Sequence, residues 1–172
     1  MTSQTCTTCF KPKAQLACGI CERVLCKNCT QFVEEDQFSF MAKIPKDLSH
    51  SCYCDQCYTE KVTPAIVQYE ATMNRAKDII VYDKTQGKET RLFKRFELPF
   101  SVENISGEKE VTMRLAFFAA QAGFNTIVDL ETSWTKIKNG SYQTTVWAGS
   151  AIPTNIDPRK IIKDKSFWSQ PN

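Results

Sequence analysis

The sequence predicts an α+β protein built in two parts, and three observations carry that prediction. All nine cysteines lie between positions 6 and 57 of a 172-residue chain, where an even spread would place about three. Beyond residue 57 the apolar residues recur at helical and then at strand spacing, and Asn139-Gly140 supplies a hairpin signal. The composition, 42% apolar, 11% aromatic and 24% charged, is that of a globular chain rather than a disordered one. The expected architecture is a cysteine-built cross-brace module followed by a small domain in which a helix covers an antiparallel sheet. Its parts are a finger at 1–60, a linking helix at 61–77, an α+β domain at 78–155 and a basic, aromatic tail at 156–172.

Several function classes are disfavoured at once. The formal charge of +3, from 22 Lys and Arg against 19 Asp and Glu, is too mild for a dedicated nucleic-acid binder. The longest apolar run, Leu115–Phe124, is interrupted by Gln121 and falls short of the roughly 20 residues that cross a bilayer. The opening Met1-Thr2-Ser3-Gln4-Thr5-Cys6 has neither the positive nor the apolar region of a secretory signal. A reducing cytoplasm is therefore the expected setting. An odd number of cysteines argues against a closed disulfide framework there.

The cysteines fall in four Cys-x-x-Cys pairs, Cys6/Cys9, Cys18/Cys21, Cys26/Cys29 and Cys54/Cys57. Two intervening residues let a tight turn aim both sulfurs at one ion about 2.3 Å away and leave backbone amides free to bond the thiolates. Eight thiolates fill two tetrahedral sites, and all-sulfur tetrahedral coordination selects zinc, with iron as a possible substitute. A redox dithiol explains one such pair but not four. Only four residues separate Cys21 from Cys26, which is awkward for neighbouring pairs that share an ion. Interleaving relieves this: Cys6, Cys9, Cys26 and Cys29 would hold one zinc, and Cys18, Cys21, Cys54 and Cys57 the other. A closed Cys₄ site keeps no open position for water, so its expected role is structural.

The stretches Cys18-Gly19-Ile20-Cys21-Glu22-Arg23-Val24-Leu25-Cys26-Lys27-Asn28-Cys29 and Cys54-Asp55-Gln56-Cys57-Tyr58 resemble a FYVE-type zinc finger over about residues 4–62. The resemblance implies a short strand at Val24-Leu25 and a helix from Tyr58 onward. It departs from the family where function sits. Lipid-binding members carry a basic His-His-containing stretch, whereas Lys13-Ala14-Gln15-Leu16-Ala17-Cys18-Gly19 has neither histidine nor arginine, and the family's Trp-x-x-Asp opening is missing. The resemblance therefore implies the scaffold without phosphoinositide binding. Residues 1–60 hold six cations and seven acids, too few clustered cations for phosphate contacts. RING-type ubiquitin ligases share the interleaved plan but usually include a histidine ligand and different spacing.

His50 and Cys52 stand close to the last pair. They read as an alternative metal ligand, as a reactive thiol beside an imidazole, or as a half-buried small apolar side chain and a surface histidine; the last reading is preferred. Glu34-Glu35-Asp36 reads as a solvated segment. Phe32, Phe38 and Phe40 are expected to fill the core under the knuckles, with a peptide-binding patch as the alternative.

In the second part, Thr63 reads as a helix cap with Pro64 at the first helical position, followed by Ile66, Tyr69, Met73 and Ala76 at helical spacing. Strands are expected at Asp78–Tyr82 and, past a turn at Gln86-Gly87, at Thr90–Leu98. Ser106 and Glu108 are expected to open a helix with Val111, Leu115, Phe118 and Ala122 as its apolar stripe, widened by Phe117, and Gly123 to end it. Asn125–Ile137 reads as a strand. Pairing across Asn139-Gly140 sets Trp134 near Thr145 and Trp147 near Thr132, with both indoles packed in the core or, alternatively, forming a stacking platform.

Ala119-Ala120-Gln121-Ala122-Gly123-Phe124-Asn125-Thr126-Ile127-Val128-Asp129 and Trp147-Ala148-Gly149-Ser150-Ala151-Ile152 resemble the YbjQ-like family of small bacterial domains, often labelled heavy-metal binders. The resemblance implies a homo-oligomer formed through the sheet. The metal label does not carry over, because residues 60–172 contain neither Cys nor His. No phosphate loop or nucleophile elbow is present. Asp129 and Glu131, two apart, read as the solvent side of a strand rather than a hydrolytic pair. The tail Arg159–Lys165, with Phe167 and Trp168 beyond it, reads as a solvated end or a docking segment. The expected function is a non-enzymatic, zinc-stabilised module for protein–protein interaction and oligomeric display, its protein partner unspecified. A membrane adaptor is the first alternative, and a ligase-like finger or an unrecognised enzyme the second.

Overall fold

A computed structural model of the chain describes residues 4–157 apart from 96, together with 159. It comprises two compact units, Met1–Ala71 and Thr72–Asn172. The α+β class is as the sequence predicts.

The first unit has little regular structure, as expected where turns serve to aim sulfurs. Strands β1 (Leu16–Ala17) and β2 (Val24–Leu25) form one short antiparallel pair, and β3 (Thr30–Phe32) and β4 (Cys52–Cys54) another. The strand at Val24-Leu25 is the one the finger resemblance implies. Leu25, Phe38, Tyr53 and Val62 are buried, and Phe38 meets Tyr69 edge-on at 5.5 Å. Phe32 is not in this core: it is the last residue of β3 and is 53% exposed. Glu34, Glu35 and Asp36 are solvated as expected.

Helical structure begins earlier than the expected cap at Thr63. Helix α1 (Asp55–Cys57) opens on the last cysteine pair, with the Cys54 sulfur accepting the Cys57 N–H at the N-cap. It passes through a π turn (Tyr58–Val62) into α2 (Thr63–Lys77). Thr63 is thus a helical residue whose N–H reaches back to the Tyr58 carbonyl. Pro64 explains the π turn: it has no N–H for the carbonyl four residues earlier, and its ring crowds that carbonyl.

The second unit holds one four-stranded sheet, ordered β5 (Ile80–Asp83), β7 (Thr126–Asn139), β8 (Tyr142–Thr154), β6 (Phe100–Ile105). The sheet is mixed rather than purely antiparallel, because β5 runs parallel to β7. Helix α3 (Glu108–Gln121) connects β6 to β7, which also run the same way with β8 between them, a split β-α-β unit. Val111, Leu115 and Ala119, spaced by four, pack with Val102, Ile105, Ile127 and Ala151. A second buried row, Ala116, Phe117 and Ala120, replaces the expected Ala122, which is exposed. The N-cap of α3 is Gly107, and Ser106, one residue outside, donates to Glu110. Gly123 ends the helix at φ +84°, as expected. Gly149 allows α3 to approach: a Cβ there would lie 2.5 Å from Val111 Cγ1 and 2.9 Å from the Glu131 carbonyl oxygen.

Three further expectations are corrected. Thr90–Leu98 is a loop of turns, because the Arg95 guanidinium folds back to the Thr90 and Phe93 carbonyls and the Thr90 hydroxyl. Its alternating pattern leaves Leu92 and Leu98 in solvent. The hairpin turns at Gly140-Ser141, one residue later than expected, so Trp134 pairs directly with Trp147, Thr132 with Gly149 and Lys136 with Thr145. Trp147 packs on the core, whereas Trp134 is 55% exposed, with Lys136 Nζ 6.0 Å from its ring. A bulge between Val128 and Glu131 breaks the alternation that would set Asp129 and Glu131 on one solvent face. Asp129, at φ +54°, takes a two-pronged ion pair from Arg95, and Glu131 pairs with Lys84 at 2.6 Å. Of the tail at 156–172, Ile156, which is buried, Asp157 and Arg159 are described; Phe167 and Trp168 lie outside the described residues.

Candidate metal centres

Two tight hairpin knuckles and two helical turns position the eight sulfurs. In the first knuckle the Cys6 N–H donates to the Lys11 carbonyl, and the Phe10 N–H returns to the Cys6 carbonyl. The second repeats this five and four residues on: the Cys18 N–H donates to Arg23 and the Glu22 N–H to Cys18. Both turns require a left-handed residue after the second cysteine, and Phe10 (φ +58°) and Glu22 (φ +60°) occupy that place without being glycine. Cys26–Cys29 closes on a 3-10 turn, and Cys54–Cys57 on the first turn of α1.

The strand that precedes each helical pair ties it to its knuckle. The Thr7 N–H bonds the Val24 carbonyl at 2.9 Å, two residues before Cys26. The Gly19 N–H bonds the Cys52 carbonyl at 2.9 Å, two residues before Cys54. Cysteines far apart in sequence converge as a result. The sulfurs of Cys6, Cys9, Cys26 and Cys29 lie within 4.8 Å of one another, as do those of Cys18, Cys21, Cys54 and Cys57. Within these groups Cys9 and Cys26 sulfurs are 3.6 Å apart, and those of Cys21 and Cys54 are 3.7 Å apart. A tetrahedron with metal–sulfur bonds of about 2.3 Å has edges of about 3.8 Å, whereas a disulfide would need about 2.05 Å. The spacing suits four thiolates around one ion and no covalent bond; all nine cysteines are free thiols.

Electrostatics within each group point the same way. The Cys9 N–H, with those of Cys26 and Thr8, holds the Cys6 thiol down to about 6 against its burial. Burial pushes Cys18 up, but the N–H groups of Cys21, Cys54 and Ile20 outweigh it and bring that thiol to about 6. Burial likewise raises Cys26, yet its contacts with Cys9 and Cys29 lower it on balance. Cys29 is pushed up to about 12, first by its contact with the Cys26 sulfur. Burial raises Cys21 and Cys57. Each group therefore sets a sulfur that ionises readily beside another that resists. Full ionisation of four crowded thiols calls for a cation among them.

Both groups are the interleaved sets that the spacing suggests, and each could hold a metal ion. Cys52 belongs to neither. It sits half-buried on β4, its sulfur beside the Ser51 hydroxyl. His50 is half-buried rather than a plain surface residue: its ring lies over Gly19, and its backbone N–H donates to the buried Tyr53 hydroxyl. Spacing alone missed this pair. The available signal was the mismatch between Thr7 and Gly19 at equivalent places in two otherwise parallel knuckles.

In the second unit Asp129 and Glu131 are each committed to a cation, Asp129 to Arg95 and Glu131 to Lys84. A shallow concavity of about 410 Å³ on the sheet, lined in part by Ser101, Glu103, Glu131, Ser133, Ala148 and Ser150, is open to solvent. No helix among the described residues is long and apolar enough to cross a membrane. Compared with family models, with curated proteins and with solved structures, the chain matches none. The FYVE and YbjQ-like resemblances therefore rest on the residues quoted above.

Proposed function

We propose that this chain is a non-catalytic binding and assembly module whose N-terminal finger is held by two zinc ions. The observation that carries the reading is the convergence of eight thiols into two closed groups of four. Cys6, Cys9, Cys26 and Cys29 hold one ion, and Cys18, Cys21, Cys54 and Cys57 the other. Zinc fits because an all-thiolate tetrahedron favours it and because it brings no redox change of its own. With four protein ligands each, the ions supply cross-links rather than a reactive water. They hold a surface rigid in a unit too small to rely on its core.

The sheet unit supplies the assembly half of the proposal. Among the described residues, the ends of β7 and β8 beyond the reach of β5 and β6 pair only with each other. This arm carries Trp134, Ile137 and Tyr142 exposed. Self-association through the sheet unit would cover these side chains and display several fingers at once, raising apparent affinity for a protein partner without any new contact. A bacterial cytoplasm suits reduced thiolates of this kind.

Native mass spectrometry of the full chain tests both halves. Two zincs per chain in a closed oligomer is the expected result. A monomer with two zincs removes the display half, and one zinc or none removes the finger. A second reading, an adaptor for anionic membranes, draws on Phe10, 77% exposed beside the exposed Lys11 and Lys13. Flotation with vesicles of several acidic lipids checks it, and failure with every composition ends it.

A further inference from the structure

The two candidate centres share one knuckle plan and differ at the residue that follows the first cysteine. In each, the residue after the first cysteine donates its N–H to the strand that leads into the helical pair, Thr7 to Val24 and Gly19 to Cys52, both at 2.9 Å. Thr7 adds a second bond, its hydroxyl donating to the same Val24 carbonyl at 3.0 Å. Gly19 has no side chain to do this. Its backbone does not demand glycine, since the glycines at positive φ are Gly123 and Gly140. Space demands it: a Cβ at position 19 would fall on Cγ and Cβ of His50 and within 2.6 Å of its Cδ2. The imidazole thus takes the place that a side chain on the knuckle would fill. His50 is itself fixed, its N–H on the Tyr53 hydroxyl at 3.1 Å and its ring edge-on to Tyr53 at 6.3 Å, with Tyr53 fully buried.

We propose that His50 is a positioning residue of the second centre: lying on Gly19, it locks the 50–54 segment onto the Cys18–Cys21 knuckle and so retains the metal held by Cys18, Cys21, Cys54 and Cys57. It does by shape what the Thr7 side chain does by a hydrogen bond in the first centre. The proposal rests on the reading that this group of thiols holds zinc. It adds that the two ions are retained by different devices, so one can be loosened without the other. Residues that orient ligands from behind typically change metal affinity about 10–100-fold when removed.

The test uses the full chain loaded with zinc, a chromophoric chelator to time metal loss, and alkylation with mass mapping to show which cysteines become reactive. In His50→Ala the release from the second centre is expected to quicken about 10-fold or more, with Cys21 and Cys57 alkylated early and the first centre unchanged. Gly19→Thr alone is expected to act the same way, through collision with the imidazole. The double variant Gly19→Thr/His50→Gly removes both the ring and the Cβ that would stand 2.4 Å from the new side chain; it recreates the arrangement around Thr7 and is expected to recover slow release and the wild-type cobalt(II) absorption spectrum. Unchanged release in His50→Ala, equal quickening at both centres, or a double variant no better than either single one would overturn the proposal. Native mass spectrometry separates this from failure of the zinc reading: a wild-type chain with fewer than two zincs overturns both, whereas two retained zincs leave the positioning claim to stand or fall on the variants.

Discussion

The finger and the sheet unit reach order by opposite routes. In residues 4–71, strands are two or three residues long and the backbone spends its hydrogen bonds on turns around sulfur. In the second unit, strands of 14 and 13 residues pair across a hairpin, and a helix buries Val111, Leu115 and Ala119 against them. The first design places its information in four short spacings and, on the function proposed above, relies on an ion to close them. The second spreads its information over a surface, so that removing one contact weakens the unit without erasing it. If this contrast is right, the two units should fail separately and under different insults.

The largest expected effect is metal removal. A strong chelator, or Cys54→Ser, should abolish the dispersed amide signals of the finger while those of the sheet unit persist, because a structural zinc site can contribute about 10 kcal/mol or more to folding. Acidification should release the metal too, since protons compete for the thiolates. Collapse of both units together in a two-dimensional NMR spectrum would break the comparison.

Truncating the sheet unit's core should do the reverse. Leu115→Ala, at a fully buried position, should cost about 3 kcal/mol in denaturant unfolding of that unit, with zinc content unchanged.

A smaller and pH-dependent effect is expected at the bulge. Arg95 holds the Asp129 carboxyl below the ordinary carboxylate range. A carboxylate depressed in the folded state stabilises above its unfolded value of about 4, and that contribution is lost as pH falls through the folded value. Asp129→Asn tolerates the positive φ while removing the charge, so it should cost about 2 kcal/mol at pH 7. The difference from wild type should shrink toward pH 3. An equal loss at both pH values would mean that the charge is not the cause.

The smallest effect should come from Gly123→Ala. The site has open space but φ +84°, so only backbone strain of about 1 kcal/mol is at stake. Urea unfolding of the sheet unit would measure it.

The sequence by itself determined what is local or periodic. Four Cys-x-x-Cys pairs named the thiols that converge, and the crowding of Cys21 against Cys26 gave their interleaving, because two residues between thiols leave few ways to meet one ion. The i, i+4 recurrence of Val111 and Leu115 gave α3, and Gly123 its end. Contacts between distant segments were decided only by the tertiary structure. The alternation in Thr90–Leu98 suited a strand until Arg95 found Thr90, Phe93 and Asp129. The Trp134 register hung on which two residues make the turn. Thr63 looked like a helix start because nothing nearby reveals that Cys54 has already capped one. His50 looked like a surface residue because its partner, Gly19, is thirty-one positions away and has no side chain to betray the contact. In each case the deciding group lies outside the window that sets local propensity, and packing chose among conformations that the local sequence left nearly equal in energy.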